Sequence, residues 1–520
     1  MKREIAERFS PFGEADCESE VKLLKGGYSN YFFYHTRFNA QALDRDTYLI
    51  VGRRGAGKTA LGQFFSFQQQ LPNAIAIDVD EPVVFERVLE AMTPALTDAR
   101  EIAIPRLAKV WDFVLWSVIF RELQDQDPQI RAACIFGDRS GKLSTFIRHV
   151  INGLLNRVVE TDTDLVDQLA AIFEDDRICA GKAAVFRVAR RKPVIVAVDT
   201  LENYALSSTP VLWATAALIQ CGSDFNRDFA HRGVHLKIFT MAEIFPYLRE
   251  SIILNPLKCV RNEVYLHWRP KDLMRLVSWR FCNYLQAISQ PVPNAHQINW
   301  DQTRDVLDNL WKPYFGAELT NGLGRTEQTF PYVLRHTQMR PRQLIVLCNA
   351  IAAEAKRAGT FPRFESATIV KAIDRIEVAL AEEVINAYSA VYPKVGRILE
   401  ALSGLPMVFK GNELDRRASH TASEWDGGDY SPLAFRQLVA ELGIVGRVRY
   451  FNRDQGIAEV DFEYSTESRL PLLVSDLCAI HPMFYRKLHI QLDQSLVVYP
   501  FPDHEEYADL KRPLLSEASF

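Results

Sequence analysis

The sequence lacks the features that mark several large classes of protein. It has no excess of one charge, since 61 lysines and arginines oppose 65 aspartates and glutamates, for a formal net charge of −4. A nucleic-acid site would therefore have to be local. None of the eight cysteines forms a Cys-x-x-Cys pair, which argues against a zinc site or a disulfide framework. No apolar run could span a bilayer, and no apolar signal core follows residues 1–8. These absences favour a cytoplasmic protein with no membrane partner.

A complete phosphate-loop pattern follows a short apolar strand at residues 48–51. It reads Gly52-x-x-x-x-Gly57-Lys58-Thr59. Glycines let successive backbone N–H groups turn around a phosphate. We expect the lysine to neutralise the outer phosphates, the threonine hydroxyl to bind Mg²⁺, and the next helix to direct its positive end at the anion. The expected nucleotide-binding residues are Gly52, Arg53, Arg54, Gly55, Ala56, Gly57, Lys58, Thr59 and Ala60.

Four further apolar runs predict strands of a parallel sheet. They cover residues 74–78, 194–198, 234–239 and 263–267. Asp199 ends the second of these runs and is expected to hold Mg²⁺ together with Thr59. Glu202 is the candidate general base, or else a surface carboxylate in a loop. Thr240 ends the next strand and could sense a terminal phosphate or simply cap the following element.

Two other segments could contribute to a nucleotide site. Aromatic residues at 28 and 31–34 either pack against the nucleotide domain or form an adenine-stacking lid. Arg340-Pro341-Arg342 opens a helix, where the macrodipole disfavours arginine. These arginines either reach the phosphates or lie on the surface.

The C-terminal part predicts a winged helix. Helices near residues 395–402, 410–418 and 432–442 precede two strands, 447–451 and 457–464, which flank a glycine-bearing loop. The expected recognition helix and wing carry basic residues, but nearby acids dilute them. DNA binding and protein docking therefore both stay open. The basic residues are Arg436, Arg447, Arg449 and Arg453.

Taken in order, these motifs resemble the AAA+ and STAND branch of P-loop ATPases. Within that branch they are most similar to the origin-recognition group and its bacterial relatives, including ATPases of mobile or defence gene islands. The Asp199-x-x-Glu202 spacing is similar to many STAND proteins but departs from the adjacent Asp-Glu of the origin-recognition group. The resemblance implies ATP and Mg²⁺ as ligands, Arg342 as a lid sensor arginine, and Pro341 beside the adenine. Arg249 is a weak candidate for an arginine finger.

The implied fold class is α/β, with a parallel-sheet P-loop NTPase core of the ASCE and AAA+ type. The predicted segments are a leader at 1–46, the core at 47–268 with a helical insertion at 82–190, an all-helical lid at 269–389, a winged helix at 390–500 and a tail at 501–520.

The implied function is an ATP-hydrolysing switch that couples nucleotide state to assembly on DNA or with an effector protein. The catalytic residues would be Lys58, Glu202, Thr240 and Arg342. The resemblance also implies a homo-oligomer, with antiviral defence against phage as one setting. The alternative is a nucleotide-binding scaffold with slow or no turnover, whose winged helix docks a protein.

Overall fold

The chain forms two compact units in this computed structural model. One unit is Tyr28–Leu266, and the other combines Met1–Gly27 with His267–Phe520. The structure describes residues 9–44, 46–67, 73–78, 99–135, 141–161, 164–199, 209–253, 255–292, 295–389, 392–425, 430–465 and 469–500. The tail at 501–520 lies outside these ranges.

The described part of the leader before Tyr28 is anchored in the second unit. It contains helix α1 (Cys17–Leu24). The Phe12 ring stacks on that of Phe281 at a centroid distance of 4.8 Å. The Arg280 guanidinium lies 2.6 Å from a carboxylate oxygen of Glu20. Burial raises the pKa of Glu20 above its ordinary value, because the ionised carboxylate loses its water. A stacked ring pair and a buried ion pair therefore hold this segment.

A five-stranded parallel sheet forms the centre of the unit Tyr28–Leu266. Its strands are β1 (Leu49–Gly52), β2 (Asn73–Asp78), β3 (Val194–Asp199), β4 (Val234–Met241) and β5 (Val264–Tyr265). Their order is β2-β3-β4-β1-β5, and every neighbouring pair is parallel. In β3 and β4 nearly every side chain is buried, as expected for a sheet covered on both faces. The predicted parallel-sheet α/β core is confirmed.

The sheet is accompanied by helices in the described parts of this unit. They are α2 (Tyr28–Tyr31), α3 (Arg37–Leu43), α4 (Lys58–Phe67), α5 (Arg100–Leu123), α6 (Pro128–Ala132), α7 (Leu143–Thr161), α8 (Leu165–Glu174), α9 (Asp176–Arg191), α10 (Thr209–Phe229), α11 (Phe245–Tyr247) and α12 (Pro256–Cys259). Helices α5 to α9 lie between β2 and β3 in the chain, where the helical insertion was predicted. Trp111 and Trp116 on α5 are buried, so both belong to the core. Across the described residues, no helix combines the length and apolar character needed to cross a bilayer.

The aromatic residues after the leader pack against α4. The Tyr28 hydroxyl donates to the carbonyl of Ala60 at 3.1 Å. The Phe32 and Phe64 rings stack with centroids 4.2 Å apart. These contacts support the packing interpretation of the cluster, because its rings are used to hold the helix that follows the phosphate loop.

The second unit is mainly helical after His267. Its helices are α13 (Pro270–Ala287), α14 (Thr303–Val306), α15 (Lys312–Phe315), α16 (Thr329–Leu334), α17 (Pro341–Ala358), α18 (Ser366–Ala387), α19 (Val395–Glu400), α20 (Asn412–Ala418) and α21 (Pro432–Glu441). A short antiparallel hairpin interrupts them, formed by β6 (Glu318–Thr320) and β7 (Thr326–Gln328). The expectation that residues 269–389 are all helical is therefore wrong. Three-residue strands are too short to show a period-two pattern.

The predicted C-terminal hairpin belongs to a larger sheet. Its strands β9 (Val445–Asn452) and β10 (Ile457–Asp461) pair antiparallel, as expected. The remaining strands, β8 (Val408–Lys410), β11 (Leu477–Ile480) and β12 (Val497–Tyr499), give the order β12-β10-β9-β11-β8. The three expected helices are present as α19, α20 and α21. The hairpin therefore lies inside a five-stranded sheet, and the winged-helix identity stays a prediction.

Candidate nucleotide-binding site

The phosphate-loop pattern lies between a buried strand and a helix, as the motif requires. Gly52 ends β1, and Lys58 begins α4. Gly55 and Gly57 have φ angles of 78° and 95°, a region in which a side chain is strained. A Cβ atom at Gly52 would lie 3.0 Å from the Leu266 side chain and 3.1 Å from that of Lys58. The glycines are therefore needed for the turn and for close packing.

The phosphate-loop lysine is folded against its own loop. Lys58 is 2% exposed. Its ammonium group donates to the carbonyls of Gly52 at 3.2 Å and Arg53 at 3.3 Å. Both of these acceptors are neutral carbonyls, whereas the oxygen of an anion would accept a stronger, charge-assisted hydrogen bond from the ammonium group. The lysine is thus positioned over the loop that would hold a phosphate.

The structure brings the two predicted metal ligands together. The Thr59 hydroxyl donates to a carboxylate oxygen of Asp199 at 2.5 Å. Asp199 ends β3, and β4 separates that strand from β1. The contact is made because the first turn of α4 extends toward the carboxyl end of β3. A hydroxyl and a carboxylate oxygen are ligands that Mg²⁺ accepts.

A buried hydroxyl lies on the strand between these two elements. Thr240, on β4, is paired in register with Val51, and the preceding Phe239 is paired with Asp199. Its side chain is fully buried. The hydroxyl has no hydrogen-bond partner among the residues that the structure describes. Such a group is costly in a folded protein, and it is available to a bound ligand.

The order of the strands creates a topological switch point at this end of the sheet. Strands β4 and β1 are neighbours in the sheet. The connection after β1 crosses β4 and β3 to reach β2 at one edge, whereas the connection after β4 crosses β1 to reach β5 at the other edge. Neighbouring strands whose connections leave in opposite directions form a switch point, and ligands of open α/β sheets bind there, outside the carboxyl ends. The phosphate loop and Thr240 both lie at this point.

A second carboxylate contacts the loop and was not anticipated. One oxygen of Glu243 accepts the backbone N–H of Arg54 at 3.0 Å. Its other oxygen is buried and has no partner within the described ranges. Glu243 follows the end of β4 by two residues. The local sequence around Glu243 carries no motif, so the sequence could not predict this contact. It depends on the placement of β4 beside β1 in the sheet.

A buried lysine fixes the approach to β1. The Lys237 ammonium donates to the carbonyl of Thr47 at 2.5 Å and also to the carbonyl of Asp44. Burial lowers the pKa of Lys237 to about 7, because the charged form loses its hydration. These contacts position the residues that lead into the phosphate loop.

The structure leaves the roles of several other candidate residues untested. Glu202 lies outside the described residues. Pro341 and Arg342 belong to the other unit, where the Arg342 guanidinium is 3.8 Å from a Glu383 oxygen. Arg249 lies 3.5 Å from Glu263. Their roles toward a nucleotide stay predictions.

Two of the four basic residues expected on the recognition helix and wing form ion pairs. The Arg449 guanidinium lies 3.4 Å from Glu459 and 3.9 Å from Asp461. Arg436 is 3.4 Å from Asp415. The loop between β9 and β10 is also held from outside, since Arg325 donates to the carbonyls of Gln455 at 2.6 Å and of Gly456 at 3.0 Å. These contacts weaken the case for a wing that inserts into DNA.

Comparisons of the chain with models of protein families, with curated proteins and with solved structures give no match. The functional argument therefore depends on the sequence motifs and on the geometry of the site.

Proposed function

We propose that the chain binds ATP with Mg²⁺ at the phosphate loop between β1 and α4. The observation that carries the proposal is the contact between the Thr59 hydroxyl and Asp199 at 2.5 Å. These residues are 140 positions apart in the sequence, and they meet directly beside a complete phosphate-loop pattern. The preference for ATP over other nucleotides comes from the resemblance to AAA+ and STAND proteins.

The residues present fit this ligand. The loop has two glycines at positive φ and a buried lysine. A buried hydroxyl on β4 has no partner among the described residues. A helix N-terminus adds the positive end of its dipole. Bound Mg²⁺ would supply charge neutralisation on the phosphate oxygens.

Each side chain would have a separate task. Lys58 would leave its loop carbonyls and pair with the outer phosphates. Thr59 and Asp199 would hold the metal, and the Thr240 hydroxyl would donate to the terminal phosphate. Glu202 is proposed as the general base that accepts the proton of the attacking water. Nucleotide turnover would then work as a switch for assembly with DNA or an effector protein, as a homo-oligomer.

The test is a titration of the protein with Mg·ATP, in which calorimetry measures the binding affinity. Lys58→Ala should weaken binding by about 3 kcal/mol, roughly 150-fold, because a charge-assisted contact with phosphate is lost. The matched control is Lys109→Ala, which removes an exposed lysine from α5 in the same unit. Thermal melting of both variants without nucleotide checks that they are folded. Equal ATP affinity in the two variants would refute the proposed site.

A further inference from the structure

A basic cleft lies in the second unit, where α13 begins. It encloses a volume of about 400 Å³. All of its lining residues are polar or charged, and four of them are basic. They are Arg269, Lys271, Arg275, Asp301, Gln302, Thr303 and Arg304.

Two of these arginines are held rigidly by one buried acid. Asp272 is 2% exposed. It accepts a hydrogen bond from the Arg269 guanidinium at 3.0 Å and another from Arg275. Arg275 also donates to the carbonyl of Trp300 at 3.0 Å, which ties α13 to the segment that leads into α14. The cleft is therefore built before any ligand arrives, which lowers the entropic cost of binding.

The charge of the cleft differs from that of the chain. Across the whole sequence 61 basic residues face 65 acidic ones. Lining the cleft, four basic residues face one acidic residue, Asp301. Asp272 is buried beneath the cleft, and an Asp308 oxygen lies 3.9 Å from the Arg304 guanidinium. Counting both of these acids with Asp301, four bases face three acids. The 18-residue helix α13 also begins here without a side-chain cap, which adds a smaller positive contribution.

The lining selects the chemical class of the ligand. Arginine and lysine bind phosphate oxygens through charge-assisted hydrogen bonds. No apolar or aromatic side chain lines the cleft, so nothing there would stack on a nucleobase. The side chain of Arg304 is 76% exposed, as expected for a residue that contacts a backbone at the surface. Such contacts position a nucleic acid without reading its sequence.

We propose that this cleft, and not the wing, binds the phosphate backbone of a nucleic acid. On the wing, Arg449 lies near Glu459 and Asp461, and Arg447 is paired in register with Asp461. Lys271 and Arg304 instead line a concave surface together with two further arginines. This inference does not depend on the phosphate loop, because ATP binding and its loss in Lys58→Ala are measured separately.

The experiment measures binding of a fluorescein-labelled DNA duplex and of a single strand to the full-length protein, at several salt concentrations. Lys271→Ala with Arg304→Ala should weaken binding about tenfold near 0.1 M salt and flatten the log–log salt slope by about two units. Arg269 and Arg275 are left intact because they hold Asp272. If the alanine variant does not fold, Lys271→Gln with Arg304→Gln keeps the side-chain stems and tests the same charges.

Two further variants act as controls. Lys487→Ala with Arg416→Ala removes two charges from surface ion pairs that involve no residue of the cleft and should leave DNA binding unchanged. The wing variant Arg447→Ala, Arg449→Ala, Arg453→Ala should weaken binding less than the cleft variant does.

The other outcomes overturn the proposal. Absence of DNA binding by the unaltered protein would do so, as would equal weakening in the cleft and control variants. A larger loss in the wing variant would place the interface on the wing. A small-anion site would be indicated by two results together. Inorganic phosphate would displace DNA more strongly than chloride does at the same ionic strength, and the cleft variant would bind DNA as tightly as the unaltered protein.

Discussion

Thr240→Val should have opposite effects on stability and on nucleotide affinity. Valine has nearly the shape of threonine, so packing around the fully buried residue is kept. The threonine hydroxyl has no partner among the described residues, and an unsatisfied buried polar group costs about 1–3 kcal/mol. The variant without nucleotide should therefore be more stable by about that amount. If the hydroxyl donates to a terminal phosphate, ATP binding should weaken by about 1.5–3 kcal/mol, roughly 10- to 150-fold.

The assay combines guanidinium denaturation without nucleotide and titration with Mg·ATP. Thr329→Val is a matched control, because Thr329 is also fully buried and its hydroxyl also lacks a partner within the described ranges, but it lies in the other unit. The control should gain stability and keep its ATP affinity. A Thr240→Val variant that is less stable than the parent and binds ATP normally would show that the hydroxyl is structural, and the reasoning would fail.

The remaining predictions concern turnover and pH. Glu202→Gln should bind Mg·ATP but lose most phosphate release, since an amide cannot accept the proton of water; Asp199→Asn should instead weaken Mg²⁺-dependent binding. Normal phosphate release by Glu202→Gln would place the base elsewhere. Burial raises the pKa of Glu377 to about 8 from an ordinary value of 4.5, so the folded state keeps a proton that the unfolded state loses. This residue's contribution to stability should therefore fall as pH rises from about 4.5 to about 8. The denaturation midpoint should be measured at about pH 4.5 and at about pH 8. It should change less between these two pH values in Glu377→Gln than in the parent protein, and an equal change in both proteins would contradict the raised pKa of Glu377.

Local sequence patterns determined much of the first unit. The runs ending at Gly52 and Asp199 predict strands, because four or five consecutive apolar residues suit a sheet covered on both faces. The segment ending at Thr240 predicts a strand through apolar residues at alternate positions. The phosphate loop is visible for a similar reason, since the turn needs glycines at fixed spacing and the ligand needs a lysine and a hydroxyl next to them. The hairpin β9–β10 is likewise visible from its glycine-bearing loop. Each of these signals depends on residues adjacent in the chain.

The tertiary structure alone decided which distant residues meet. The order of the strands placed Asp199 against Thr59 and placed Glu243 against the loop N–H of Arg54. Neither contact follows from spacing, because strand order depends on long-range pairing and not on local preference. The leader shows the same limit, since Phe12 stacks on Phe281 across 269 residues of sequence. The acids near the wing are visible in the sequence, but only strand register sets Glu459 and Asp461 beside Arg449. The sequence states which side chains carry a charge or a hydroxyl group, whereas the packing of the whole chain determines which groups they contact.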